Sequence, residues 1–267
     1  MTEPWRRASA YAGGPSILST RSLATGHRHL ADLLSPGLSV LDVGCGPGAI
    51  TRRIAEAVAP GGRAVGIDLN GLMVEEARRT HAGVPGLTFK VCDVYDLPYH
   101  EEFDIVTAAR VLQWLARPLD ALRMMVRAAK PGGRVVVLDY NHKRTSHTPE
   151  IPSTMQAFHA AFLRWRAEAG LDNEIADHLA EMFTRAGLRD VVETPQLEST
   201  QRGDPDFHVR AGIWAETAAF HGLRMVDDGV LTEQERTAAE VDYRHWVATL
   251  AQSQTLYLVS VEGLRPP

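Results

Sequence analysis

The hydrophobic positions along the chain change their period several times, and the changes mark out its elements. Residues 39–43 (Ser-Val-Leu-Asp-Val) are a short, largely β-branched run leading straight into glycines, which predicts a buried strand. Four more runs have this character: 63–69, which contains Asp68 near its end, 87–91, 103–108, and 134–138, the last entered through Pro131-Gly132-Gly133. Between them the apolar positions recur at helical spacing, over 51–58, 72–79 and 119–129, with Leu122, Met125 and Val126 on one face of the third. Strands alternating with helices predict a parallel sheet covered by helices on both sides.

From Asn141 the pattern changes. Met155, Phe158, Phe162 and Trp165 form one helical stripe, and 172–186 reads as a second helix closed by Gly187. A sixth strand is expected over 188–197. Two helices follow, over 209–223 and 232–250, the second opened by the capping-box pair Thr232 and Glu235. Residues 255–261 alternate as a closing strand. The expected fold is α/β: a Rossmann-like, seven-stranded, mostly parallel sheet with an antiparallel last strand and helices on both faces. Helical insertions follow strand five and separate strands six and seven. A single domain is expected, with an N-terminal flap (1–30), a cofactor-binding core (31–140) and lid insertions (141–187 and 201–251). Open α/β sheets bind ligands at the carboxyl ends of their strands, so the insertions read as a lid over a small-molecule site.

Composition narrows the function classes. The chain has 267 residues, 45% of them hydrophobic, enough for one sizeable core with an appended cap. A net charge of -5 disfavours a nucleic-acid or membrane-surface partner. Two cysteines, Cys45 and Cys92, build neither a disulfide framework nor a four-ligand zinc site, and no metal is expected. No apolar run approaches the roughly 20 residues that span a bilayer, and the first residues lack the apolar stretch of a signal peptide. A cytoplasmic protein is the expectation.

The chemistry concentrates where the first strand ends. Gly44, Gly46 and Gly48 stand at alternate positions between a strand and a helix, a place where backbone N–H groups approach a ligand closely. Gly44, Gly46 and Ala49 also satisfy the dinucleotide pattern, so two cofactor classes compete. Asp68, ending the second strand, suits ribose hydroxyls in either class. Asp42 would repel a pyrophosphate and attract an ammonium group. Asp93, beside apolar Val94, suits an adenine with its exocyclic amine. Acids at three successive strand ends fit a ligand with amino, ribose and adenine groups, which describes S-adenosylmethionine.

The set Val40-Leu-Asp-Val-Gly-Cys-Gly-Pro-Gly48, Gly66-Ile-Asp68, Cys92-Asp93-Val94, Phe103-Asp104-Ile-Val106 and Lys130-Pro-Gly-Gly-Arg134 resembles the class I S-adenosylmethionine-dependent methyltransferases. The likeness is strongest to the small-molecule branch that includes the ubiquinone and menaquinone biosynthesis enzymes (methyltransferase type 11), and it covers 33–138 closely. It implies that Gly44, Cys45, Gly46 and Gly48 line the methionine half of the cofactor. Asp68 would hold the ribose with Leu69 beside it, and Asp93 and Val94 the adenine. Ala109 and Arg110 would pass beside the sulfonium, and Tyr11 would sit in a flap over the cofactor, the other reading of that stretch being packing at the sheet edge. Relatives often carry His where Gln113 stands, so no base is expected there.

Methyl transfer is an in-line displacement, and alignment alone can supply effective molarities of about 10⁵–10⁸ M. A base is needed only when the acceptor is protonated and poorly acidic. His142, at the carboxyl end of strand five, is the candidate for an acceptor contact or a base. Phe158, Phe162, Trp165, Trp214, Phe220 and Trp246 suggest a small acceptor, largely apolar or aromatic. DNA adenine methylation is disfavoured, because 107–110 reads Thr-Ala-Ala-Arg rather than Asn/Asp-Pro-Pro-Tyr. The alternatives are an NAD-dependent oxidoreductase and a non-catalytic S-adenosylmethionine-binding regulator. The oligomeric state stays open, a homodimer included.

Overall fold

The computed structural model describes residues 23–267. Its elements are α1 (Leu23–Gly26), α2 (Arg28–Leu33), β1 (Ser39–Val43), α3 (Ala49–Val58), β2 (Arg63–Asp68), α4 (Gly71–Thr80), β3 (Leu87–Val91), β4 (Phe103–Ala109), α5 (Pro118–Ala128), β5 (Ala129–Thr148), α6 (Ser153–Glu168), α7 (Ile175–Arg185), β6 (Arg189–Pro195), β7 (Glu198–Gln201), α8 (Phe207–Ala211), α9 (Ile213–Asp227), α10 (Glu233–Thr249) and β8 (Ser253–Leu264). They fall into two compact units.

The core unit holds 23–140, Ile175–Gln196 and Leu258–Pro267. Its seven strands are ordered β3-β2-β1-β4-β5-β8-β6, as expected for the fold class. The pairings β3–β2, β2–β1, β1–β4 and β4–β5 are all parallel, and β6 pairs antiparallel with β8. β1 is central and buried at all five positions, which explains its continuous apolar run. Leu30 of α2 and Ile54, Ala55 and Val58 of α3 pack with Val40, Ala64, Ile105 and Val136 of the sheet. At the far edge, β6 exposes most of its residues and ends in Pro195, a residue that edge strands tolerate because it lacks a ladder donor.

The helical unit holds Asn141–Glu174 and Leu197–Tyr257, where α6, α9 and α10 pack on one another. The capping box is present: the Thr232 hydroxyl accepts from Glu235 N, and the Glu235 carboxylate accepts from Thr232 N at 2.7 Å. Four features differ from the pattern reading. The 209–223 helix is two helices separated at Gly212, and a further short polar strand, β7, pairs antiparallel with the first four residues of β8. The stretch 175–187, expected in the first insertion, belongs to the core unit. Its helix α7 buries Ile175, Ala176, Leu179, Met182 and Phe183 and packs on α5 and β6. The helix also starts three residues late, because the Asp172 carboxylate accepts from Glu174 N and turns the chain first. Among the described residues no helix is long and apolar enough to cross a membrane.

Candidate S-adenosylmethionine site

The loop after β1 is tied to the end of β2 from both sides. The N–H groups of Gly44 and Cys45 donate to the Ile67 carbonyl, at 2.7 and 2.9 Å. Gly46 N donates to Asp68 Oδ2 at 2.9 Å, and Asn70 N donates to Asp68 Oδ1 at 2.8 Å. Burial raises the Asp68 pKa above its ordinary value, while the N–H groups of Asn70, Gly46 and Leu69 pull it down. The Asn70 side chain in turn accepts from Leu72 N and caps α4.

The three glycines have φ of +71°, +52° and +83°. A Cβ on Gly44 would lie 2.3 Å from Val111 Cγ2, and one on Gly48 would lie 2.5 Å from Phe89 Cζ. A Cβ on Gly46 would meet nothing within 4 Å. The loop is therefore packed at both ends and open in its middle, directly beside the Asp68 carboxylate. Leu69 and Val91, at the ends of β2 and β3, and Leu72, in the first turn of α4, are 57%, 52% and 82% exposed, an apolar surface that a flat ligand would cover. Asp93 Oδ1 accepts from Tyr95 N at 2.9 Å and opens a single 3₁₀ turn in which Val94 is buried. Open space at Gly46, an acid beside it and bare apolar side chains beyond it fit the cofactor the sequence suggested. Cys45 packs with Val74, Ala77 and Phe89, and burial raises its thiol well above the usual range, so it is a packing residue.

Asp42 is buried at the end of β1, and its Oδ2 accepts from the Thr51 hydroxyl at 2.6 Å, which ties it to the first turn of α3. Burial raises its pKa to about 7, against the Thr51 hydrogen bond and helped by the Asp68 charge. An unfolded aspartate loses its proton near pH 3.9, so between about pH 4 and 7 the folded chain keeps a proton that the unfolded chain has released. Raising the pH through that window therefore erodes stability. Asp42→Asn, which keeps an acceptor for Thr51, is expected to gain in melting temperature relative to wild type between pH 5 and pH 8. A difference that stays constant across those pH values would refute the assignment.

At the end of β4, Ala109 is half-buried and Arg110 is buried in the left-handed region, with φ +62°. Arg110 N donates to the Leu138 carbonyl, and its Nε donates to the Tyr140 hydroxyl at 2.9 Å. Buried Asp139 accepts from Gln113 N at 3.1 Å and from Tyr140 N at 3.0 Å. His27 Nε2 lies 3.0 Å from the Thr107 hydroxyl, and burial, with Arg110 nearby, lowers its pKa to about 3, so the ring is neutral. Gln113 and Trp114 form a 3₁₀ turn; α5 begins only at Pro118. The sequence reading did not single out Thr51, Thr107, Asp139 or Tyr140 as site residues. For the last two a signal exists: they are polar residues placed directly after the apolar run of β5.

The core unit thus gathers Asp42, Gly44, Cys45, Gly46, Gly48, Asp68 and Leu69, with Asp93 and Val94 following the neighbouring strand and Ala109 and Arg110 at the end of β4, on the other side of β1. His142 lies in the helical unit. Its N donates to the Asn173 carbonyl at 2.8 Å, and its ring stands edge-on to Phe162 and Trp214 at 6.1 and 6.3 Å. Burial, with Arg166, His159 and His221 near, lowers its pKa well below the usual imidazole value. Tyr11 lies outside the described residues. Among the described residues no group of three His, Cys, Asp or Glu could hold a metal ion.

Residues 34–187, from just before β1 to the residue closing α7, match the family described as "Methyltransferase domain". The chain belongs to that family. Among its curated relatives, the demethylmenaquinone methyltransferase of Lactococcus lactis subsp. lactis (strain IL1403) is 30% identical over 172 residues, 57% of this chain and 66% of that protein. The ubiquinone/menaquinone biosynthesis C-methyltransferase of Ectopseudomonas mendocina (strain ymp) is 40% identical over 110 residues, 40% of this chain and 43% of that protein. The chain spans less than two thirds of the length of these relatives. Phosphoethanolamine N-methyltransferase 2 of Haemonchus contortus, solved with phosphomonomethylethanolamine and S-adenosylhomocysteine, superposes with a TM-score of 0.54 at 17% identity. That match covers 90% of this chain and 52% of the other, and it shows that this methyltransferase-domain chain shares the fold.

Proposed function

We propose that the protein transfers a methyl group from S-adenosylmethionine to a small, largely apolar or aromatic organic acceptor. The observation that carries this reading is the open middle of the glycine loop at Gly46, beside a carboxylate that the loop itself holds in place. When bound, S-adenosylmethionine would supply an electrophilic methyl group whose bond to sulfur breaks as the acceptor's lone pair attacks. The chain's own part is to bind and align. Gly44, Gly46 and Gly48 let the backbone approach the methionine half, Asp68 accepts from the ribose hydroxyls, and Asp93 with Val94, Leu69 and the nearby Leu72 and Val91 receives the adenine.

Of the two roles expected for His142, the acceptor contact is retained. An imidazole held neutral by burial, with its pKa pushed down, is a weak proton acceptor. The buried aromatic side chains of the helical unit (Phe158, Phe162, Trp165, Trp214, Trp246) support an apolar or aromatic acceptor, and the relatives named for quinone biosynthesis point the same way. Calorimetry with S-adenosylmethionine and with NAD, followed by mass spectrometry of a metabolite extract incubated with methyl-labelled S-adenosylmethionine, tests the reading. Binding of S-adenosylmethionine and a labelled small-molecule product are expected. Binding of NAD in its place, or cofactor binding with no transfer to any acceptor, would overturn it.

A further inference from the structure

One helix of the core unit holds the glycine loop at two consecutive residues. α4 is capped by Asn70 at its start and by His81 at its end. At the start, Asn70 N donates to Asp68 Oδ1 while Asp68 Oδ2 accepts from Gly46 N. At the end, His81 Nε2 lies 3.1 Å from the Pro47 carbonyl oxygen. A carbonyl oxygen can only accept, so Nε2 carries the proton. The helix has 10 residues, about 15 Å of axis, yet its two ends reach neighbouring residues of the same loop. The open space at Gly46 is therefore bounded along the chain by an N–H that Asp68 fixes and a carbonyl that His81 fixes.

The end of α4 is itself anchored. Arg78, in its last turn, donates from Nε and Nη2 to the Phe89 carbonyl of β3, at 3.1 and 2.9 Å. His81 N donates to the Ala77 carbonyl at 3.0 Å. The His81 ring lies 6.0 Å from the Phe89 ring, tilted by 38°. A Cβ on Gly48 would meet both rings, Phe89 Cζ at 2.5 Å and His81 Cδ2 at 3.0 Å. The imidazole thus has two roles that can be separated. Its carbon edge packs beside Gly48, which any ring of similar size could do. Its Nε2–H holds a carbonyl, which only a donor can do. The Pro47–Gly48 peptide needs such a hold, because Gly48, at φ +83°, leaves it free to rotate once the carbonyl is released. A loop ordered before its ligand arrives binds more tightly than one that must be ordered on binding.

We infer that His81 is a positioning residue for S-adenosylmethionine, its Nε2–H holding the Pro47 carbonyl so that the glycine loop stays in the form that is open at Gly46. The inference rests on the proposed function only in taking S-adenosylmethionine as the ligand of the loop, and its test needs no methyl transfer. His81→Phe keeps a ring beside Gly48 and Phe89 and removes the donor. His81→Gln removes the ring and keeps an N–H donor at similar reach. The full chain in its three forms is titrated calorimetrically with S-adenosylmethionine, alongside thermal unfolding. Affinity is expected to fall roughly three- to tenfold in His81→Phe, the loss of one neutral hydrogen bond, with little change in melting temperature. In His81→Gln the order reverses: affinity stays within about twofold of wild type while melting temperature falls with the lost ring. A packing role predicts the opposite pairing. In the wild-type chain labelled with ¹⁵N at histidine, the His81 signals, identified as those missing from His81→Phe, are expected to show the neutral ring protonated at Nε2. Wild-type affinity in a folded His81→Phe, equal losses in both variants, or a neutral ring protonated at Nδ1 would overturn the inference. Wild type that does not bind S-adenosylmethionine would overturn the proposed function with it, whereas wild type that binds beside an indifferent His81→Phe overturns this inference alone.

Discussion

Asp68→Ala is expected to weaken S-adenosylmethionine binding about a hundredfold while the core unit stays folded. The carboxylate already accepts from Gly46 N and Asn70 N, one bond to each oxygen, and each oxygen keeps a further lone pair for a ribose hydroxyl. Hydrogen bonds to a charged acceptor are worth roughly 1.5–3 kcal/mol each, and about 2.7 kcal/mol is a hundredfold in affinity. Two losses are folded into the alanine variant: the ribose contact and the hold on the loop. Asp68→Asn separates them, because the amide keeps one acceptor oxygen for a backbone N–H but offers the ribose a donor where a lone pair was. It is expected to lie between wild type and alanine. Calorimetric titration with S-adenosylmethionine, alongside circular dichroism, reads the result. An affinity within a factor of three of wild type in a folded Asp68→Ala would remove Asp68 from the cofactor site.

Why some of this was legible in the sequence and some was not follows from the range of the interactions. The five parallel strands are set by local runs of β-branched and apolar residues, and each appears where its run stands. β5 continues through Asn141 to Thr148, a polar stretch beyond the apolar run that marks the strand in the sequence, and β7 is four polar residues paired to β8. The split falls at Gly212, which a periodic pattern passes over, at a position where a Cβ would lie 2.7 Å from the His208 carbonyl and only glycine fits without a shift. The site divides in the same way. Glycines at alternate positions and acids at strand ends are contiguous signals. The Asp42–Thr51 pair is not, since a threonine on the buried face of α3 reads as an ordinary packing residue until the helix lies against β1. His142 shows the converse case. Its position was read from its place after strand five, but its neutrality depends on Phe162, Trp214, His159 and Arg166, up to about seventy residues away.

The three loop glycines, alike in sequence, are expected to answer differently to alanine. Gly44→Ala and Gly48→Ala should act on stability, because each new Cβ would overlap a fixed neighbour, Val111 Cγ2 at 2.3 Å or the Phe89 ring at 2.5 Å, in a backbone conformation already unfavourable for a side chain. Left-handed strain of about 1–2 kcal/mol and overpacking of about 1–3 kcal/mol give a loss of roughly 2–5 kcal/mol, or about 5–15 °C in melting temperature for a domain of this size. Gly46→Ala carries only the strain, since its Cβ enters open space. Its melting temperature should fall by a few degrees while S-adenosylmethionine affinity drops by an order of magnitude or more, because the methyl group takes volume the ligand needs. Val111→Ala in the Gly44→Ala background should restore part of the lost stability by removing the overlapping methyl groups. Thermal unfolding and calorimetry on the four variants separate the two effects. A Gly46→Ala protein that binds S-adenosylmethionine as tightly as wild type would show that no ligand occupies the open middle of the loop, and the reading built on that space would fail with it.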